Sequence, residues 1–249
     1  PDAAQWSAYA RDENDKTPDW LTVHAVVAPE QHSITLEYKI NDATETRTAY
    51  LFLQHESEET EPVRVTITQK GKSDVNSTIY EDVETGPMLY SRVEVMANND
   101  WRDYPFVQWT LTLYTDGLTY NNKTWARWEG SGERMRILLL GSPQHEDDVT
   151  LEEMTYEIVP YDEYNKEPLT DRKPGWACGS RGDGKTVVYP AGTWYQVIEA
   201  GKATQWASAE SGTITVSKNG DDYTVSWDLT SDAGCKVTGS YTGPIDIIL

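Results

Sequence analysis

Phenylalanine is almost missing from this sequence: two Phe stand beside ten Trp and fifteen Tyr in 249 residues. The large side chains of any core must therefore be rings that carry a polar handle, a type that suits β cores, sugar faces and protein contacts alike. Histidine and cysteine are also sparse, at four and two. His24, His32, His55 and His145 all precede Cys178 and Cys235, so the order of a papain-like thiol enzyme, with its histidine downstream, is absent. Two cysteines without a nearby histidine make no zinc site. They permit one disulfide in an oxidising compartment, or equally two buried thiols. No apolar run in the chain approaches the ~20 residues of a membrane span. Basic residues are the last shortage: 21 Lys and Arg face 41 Asp and Glu, a formal net charge of −20. Such a field repels phosphate backbones, and no basic run is left for anionic lipid, so neither nucleic acid nor a lipid surface is an expected partner.

The patterns that look like chemistry fail in their context. Gly179-Ser180-Arg181-Gly182-Asp183-Gly184-Lys185-Thr186 satisfies GxxxxGK[ST], but a phosphate loop needs a buried strand before it and a helix after it. Here Lys173-Pro174-Gly175-Trp176 precedes, and the β-branched Val187-Val188-Tyr189-Pro190 follows. Within the same loop, Arg181-Gly182-Asp183 is the tripeptide integrins read, a match that a Gly-rich polar loop produces by chance. No GxSxG elbow is present, and no Glu-x-Asp-x-Glu strand sets carboxyl groups on one face for glycoside hydrolysis. A non-catalytic protein is expected. Glu146-Asp147-Asp148 and Asp221-Asp222 offer oxygens to Ca²⁺, but without an Asp-x-Asp-x-Asp-Gly loop they read as solvated turns. No cofactor is expected, Ca²⁺ being the one weak candidate.

What the chain does have is alternation. Ile34, Leu36, Tyr38 and Ile40 share one face of residues 33–40; Ala49, Leu51 and Leu53 do so in 47–54; Val63, Val65 and Ile67 follow. Period two with turn residues between the runs is the signature of half-buried strands. Further strands are read at 88–96, 101–114 and 154–161, and the apolar run 136–140 reads as a strand buried on both faces. At the C-terminal end, 213–217, 223–227 and 236–241 form a three-strand meander. Asn219-Gly220 joins the first two as a hairpin turn with positive φ at both positions, and residues 231–234 make the second turn. No helix of any length is expected, residues 146–153 leaving room for one short turn. The fold class is all-β, and the length is that of two domains, at 1–73 and 78–249 with a polar linker between them.

The first of these regions resembles the BACON domain, an immunoglobulin-like β-sandwich module of extracellular Bacteroidetes proteins. The resemblance rests on Trp20-Leu21-Thr22-Val23, the alternating strand 33–40, Arg47-Thr48-Ala49 and the closing Val65-Thr66-Ile67-Thr68-Gln69-Lys70-Gly71. Ala28-Pro29-Glu30-Gln31 replaces the family's small Ser-Gly turn. With the turn Pro190-Ala191-Gly192-Thr193 before a strand, Gly212-Thr213-Ile214-Thr215 and the closing Gly239-Ser240-Tyr241-Thr242-Gly243-Pro244, residues 186–243 resemble the C-terminal part of surface lipoproteins from the same bacteria. These resemblances imply an immunoglobulin-like sandwich followed by a second antiparallel β-sandwich. They also imply a surface lipoprotein at the outer face of the outer membrane, or a periplasmic one, held by an N-terminal lipid anchor that would precede Pro1. The implied partner is a glycan or mucin. The alternative is another cell-surface protein, met by an adhesion or assembly component.

The most distinctive stretch is 98–132, with four of the ten Trp. Trp109 alternates with Leu111 and Leu113 and reads as core. Trp101, Tyr104, Trp125 and Trp128 stand among turn residues, with Asn121 and Arg127 as polar neighbours. Sugar rings pack their C–H faces on aromatic planes while amides and guanidinium forks replace water at their hydroxyls. These six residues are the expected glycan site.

Overall fold

In a computed structural model that describes residues 6–28, 31–41, 43–55, 61–121, 123, 128–166, 168–185, 191–245 and 247–248, the chain divides into Pro1–Val75 and Asn76–Leu249. The fold is all-β. Among the described residues, helix is confined to one α-helical turn and two 3-10 turns.

The first unit has five strands: β1 (Trp6–Arg11), β2 (Leu21–Ala28), β3 (Gln31–Tyr38), β4 (Arg47–His55) and β5 (Val63–Gln69). β1, β4 and β5 form one antiparallel sheet in that order, and β2 and β3 a separate hairpin. Their alternation buries a small core of Ala10, Trp20, Leu21 and Ala49, with Val23, Leu36 and Ile67 against it. The guanidinium of Arg47 covers the Trp20 ring at 4.5 Å. Buried Asn41 donates its side-chain amide to the carbonyls of Glu45 (2.9 Å) and Lys70 (3.1 Å), tying the turn before β4 to the end of β5.

The second unit carries β6 (Val83–Glu84), β7 (Tyr90–Met96), β8 (Val107–Tyr114), β9 (Leu118–Tyr120), β10 (Trp128–Gly130), β11 (Gly132–Gly141), β12 (Thr155–Val159), α1 (Tyr161–Tyr164), β13 (Trp176–Cys178), β14 (Trp194–Glu199), β15 (Lys202–Asn219), β16 (Asp222–Ser231), β17 (Lys236–Gly243) and β18 (Ile247–Ile248). All but the β9–β10 hairpin belong to one sheet, whose path runs from β18 and β7 through β8, β11, β13, β12, β15 and β16 to β17 and β6. β14 bridges β11 and β15 beside that path. The two ends of the path are the same two stretches of chain. Val83 pairs in parallel with Val237, Met88 with Tyr241, and Val93 with Ile247. The sheet therefore closes on itself. Its halves face each other across one core, as in a sandwich, but are joined along both sides, so that among the described residues the path has no unpaired end strand. Trp109, Leu111, Ile137, Leu139, Ile214, Val225 and Trp227 fill the interior.

The meander is present, with one adjustment at each turn. Asn219 and Asp222 pair, so the first turn is Gly220-Asp221. Only Gly220 has positive φ, +63°, the pattern of a II′ turn with Gly at the first central position, in place of the expected pair at Asn219-Gly220. At the second, the Ser231 amide donates to the Cys235 carbonyl, and Gly234 sits at φ +85°. That is the three-residue loop with a left-handed glycine. Among the described residues the α-helical turn falls at Tyr161–Tyr164, beyond the 146–153 stretch where room for a turn was expected.

Candidate functional site

Trp101 and Tyr104 lie before β8, while Asn121 and Trp128 lie after it. Strand β8 is eight residues long, ~23 Å at about 3.3 Å per residue, so the expected aromatic site is split between its two ends. Trp125 and Arg127 lie outside the described residues.

At the far end, Trp128 corrects the reading of it as a ligand contact: it is 2% exposed. It meets Tyr114 and Tyr120 edge-on at 5.1 and 5.3 Å, packs with Leu118 and Ile198, and carries the Arg134 guanidinium over its ring at 5.0 Å. No face of that indole is left for a sugar. Arg134 is itself buried, donates through Nε to Gln196 Oε1 at 3.0 Å, and has its pKa pushed down first by burial and then by Arg136. The Asn121 amide is engaged locally, donating to Glu129 Oε1 (2.7 Å) and accepting from the Lys123 amide (2.9 Å).

At the near end, Trp101 is 95% exposed on a turn that is firmly built. Asn99 and Arg102 exchange both backbone hydrogen bonds at 3.0 Å, and Asn99 Oδ1 accepts the Trp101 amide at 3.1 Å. Asn98 brackets Tyr104, donating to its carbonyl (2.8 Å) and accepting its amide (2.6 Å). Tyr104 stacks on Phe106 at 5.4 Å. From there an alternating row of rings and guanidinium groups continues: Arg172 lies 5.7 Å over Phe106 and 5.1 Å over Tyr164, and Arg181 lies 5.0 Å over Tyr161. Tyr104, Phe106, Tyr161 and Tyr164 belong to one outer apolar cluster with Leu140 and Cys178.

That row ends in a cleft of ≈ 290 Å³ between Tyr161, Asp162, Arg181, Glu210 and Asn76. Three local features build it. β12 and β13 run parallel, with Val159 beside Cys178, so the residues that follow both strands, Pro160-Tyr161-Asp162 and Gly179-Ser180-Arg181, emerge side by side. In β15, Ala209 pairs with Ser231 and Ser211 with Thr230, which leaves Glu210 as the extra residue of a bulge, a device that re-aims a side chain. The Ser180 hydroxyl fixes the two together, accepting the Ala209 amide at 2.9 Å and donating to the Thr193 carbonyl. Asn76 is held beside them because its amide donates to Asp232 (2.5 Å) and its carbonyl accepts the Trp206 indole (2.5 Å).

The motif glycines have packing roles here. Gly179 donates to the Val159 carbonyl at 2.8 Å, and a Cβ on Gly184 would overlap the Trp206 ring. Strong pKa shifts belong to buried groups that do not line the cleft: burial pushes the Cys178 thiol up to about 12 and raises the Tyr156, Tyr164 and Tyr195 hydroxyls. Cys178 and Cys235 are two separate buried thiols. Among the described residues, no group of three His, Cys, Asp or Glu side chains is placed to hold a metal ion. Comparison with family models, curated proteins and solved structures finds no match for this chain.

Proposed function

We propose that this chain is a non-catalytic binding protein of a bacterial cell surface and that it recognises carbohydrate in the cleft beside Tyr161 and Arg181. The observation that carries the reading is the convergence of a guanidinium, two carboxyl groups and an aromatic ring around one open cleft. Formal charges of both signs disfavour a strongly anionic or cationic ligand and suit a neutral, hydroxyl-rich one. The contact with Tyr161 holds the Arg181 fork in place before a ligand arrives, which lowers the ordering cost of binding. The exposed indole of Trp101, in the same unit, supplies an aromatic plane of the kind a sugar face packs on.

A glycan array followed by titration calorimetry on the best ligand tests this. Arg181→Ala is expected to weaken binding by tenfold or more with the fold unchanged. A protein that captures no glycan, or whose affinity is indifferent to both Arg181→Ala and Tyr161→Ala, would end the proposal.

A further inference from the structure

The three-stranded sheet of the first unit packs one face, through Ala10 and Ala49, into the small core. On the other face, register sets Tyr9, Phe52 and Arg64 in one row and Arg11, Tyr50 and Thr66 in the next. The remaining outward positions of β1, β4 and β5 are Ser, Thr or Gln. No acidic side chain therefore stands on this face of the three strands, in a chain where Asp and Glu outnumber Lys and Arg by 41 to 21. Phe52, one of only two Phe, lies here half-buried and not in the core. The rings and guanidinium groups hold one another. Tyr9 and Phe52 stack at 5.3 Å and 16°. Arg11 lies 5.1 Å over Tyr9, donates to Thr17 Oγ1 at 2.9 Å and stands 3.7 Å from the exposed carboxylate of Asp15. Arg64 lies 4.8 Å over Tyr50 and meets no carboxylate among the described residues.

We infer that this face docks an extended acidic segment of a partner protein, whose carboxylates meet Arg64 and Arg11 and whose apolar groups lie along Tyr9, Phe52 and Tyr50. Composition and charge both select this occupant. Tyr, Phe and Arg without Asp, Glu or Lys is the make-up of the centre of a protein interface. A sheet face is broad and flat, unlike the clefts that take small molecules. A guanidinium laid on a ring is fixed before a partner arrives and still offers the N–H groups at its rim to a carboxylate. Both ionised side chains on the face are cations, and at physiological salt screening over ~8 Å lets them count for more than the distant net charge. The face belongs to the first unit, and the inference is independent of the carbohydrate reading of the cleft.

Amide NMR of the full chain tests the docking, with a short peptide of alternating Glu and Pro as the probe. Proline cannot donate to a β ladder, so binding of this peptide reports the face and not strand addition at an edge. With peptide up to roughly 1 mM, shifts are expected along β1, β4 and β5, weakening as salt is added, and none with the matching peptide of Lys and Pro. Arg64→Glu is expected to lower the affinity tenfold or more and to let the Lys peptide bind instead. Thr66→Glu places a carboxylate at an exposed position of the Tyr50 row without removing either cation–ring contact. It should weaken binding in the same direction, whether or not Arg64→Glu folds. An absence of shifts on these strands, or equal affinity for the two peptides, would overturn the inference. Glucuronate that gave the same shifts and displaced the peptide would assign the face to carboxylated sugars and overturn it as well.

Discussion

Met88 and Tyr241 pair in parallel at the seam where the sheet of the second unit closes. Beside them, the Thr85 amide donates to the Thr238 carbonyl at 2.8 Å, and Gly239 makes the approach possible. A Cβ on Gly239 would overlap Thr85 Oγ1 and come within 2.7 Å of Trp227 Cζ2. Gly239→Ala is therefore expected to destabilise the unit by about 1–3 kcal/mol through overpacking. Thr85→Gly in the same chain should recover part of that loss. Urea unfolding of the four members of the cycle measures both, and a neutral Gly239→Ala would mean that the seam is looser than the register implies.

High pH should act on the buried thiols and phenols. Burial raises Cys178 to about 12 and, with Asp82 adding to it, Cys235 to about 11; it pushes Tyr156, Tyr164 and Tyr195 up as well. In the unfolded chain these groups ionise near 9 and 10. Above those values the unfolded chain has released protons that the folded chain still holds. Stability is thus full below about pH 9 and declines as pH rises. Tyrosinate absorbance should show a group of phenols that ionise only with cooperative unfolding. Complete ionisation of all phenols in a chain with intact near-UV circular dichroism would refute this.

The two tryptophans that looked alike in sequence should behave oppositely. Trp128→Ala removes a ring enclosed by Tyr114, Tyr120 and Arg134, and is expected to cost about 3–5 kcal/mol. Trp101→Ala touches nothing the fold depends on and should stay within about 0.5 kcal/mol of the parent. Under the proposed glycan reading, the same variant is expected to weaken binding, which titration of the two proteins with the same glycan measures. Equal melting temperatures for the two variants would contradict the burial difference.

Asp232 anchors the first residues of the second unit. Its carboxylate accepts the amides of Asn76 (2.5 Å) and Ser77 (3.2 Å) and the Ser77 hydroxyl (2.5 Å). Because Ser77 is buried, Asp232→Ala leaves its donors unsatisfied, at roughly 1–3 kcal/mol. Hydrogen exchange at residues 76–78 should rise by a matching factor. Unchanged protection there would show that other contacts hold the segment.

Strands were legible wherever one face is wet. Ile34 and Leu36, or Tyr223, Val225 and Trp227, alternate because inward positions alone need apolar side chains. The first half of β15 was not legible: Lys202 to Gly212 is mostly small or polar. Its Ala207 and Ala209 fill space left by the larger Tyr195 and Leu229 of the same core, so burial there leaves no strong apolar signal. Trp128 was misread because it follows a stretch of turn residues, and turn residues say nothing about what the next strand packs against. The cleft lay further out of reach. Tyr161, Arg181 and Glu210 meet through a parallel strand pair and a bulge, and neither leaves a local pattern in the residues themselves. Cys178 and Cys235 read equally well as a bridge, since spacing carries no information on Cα proximity.

The closing seam also decides how the second unit would bear a load. Its first and last strands, Val83 to Glu94 and Val237 to Ile248, run parallel and side by side. A pull that draws residue 76 and the C-terminal end apart acts along those strands in opposite senses. The bonds between them are then stressed together, where a hairpin pulled from its open end would release them one at a time. Forced unfolding follows the height of the unfolding barrier rather than the equilibrium stability, so tension applied between the two ends of this unit meets its strongest direction first.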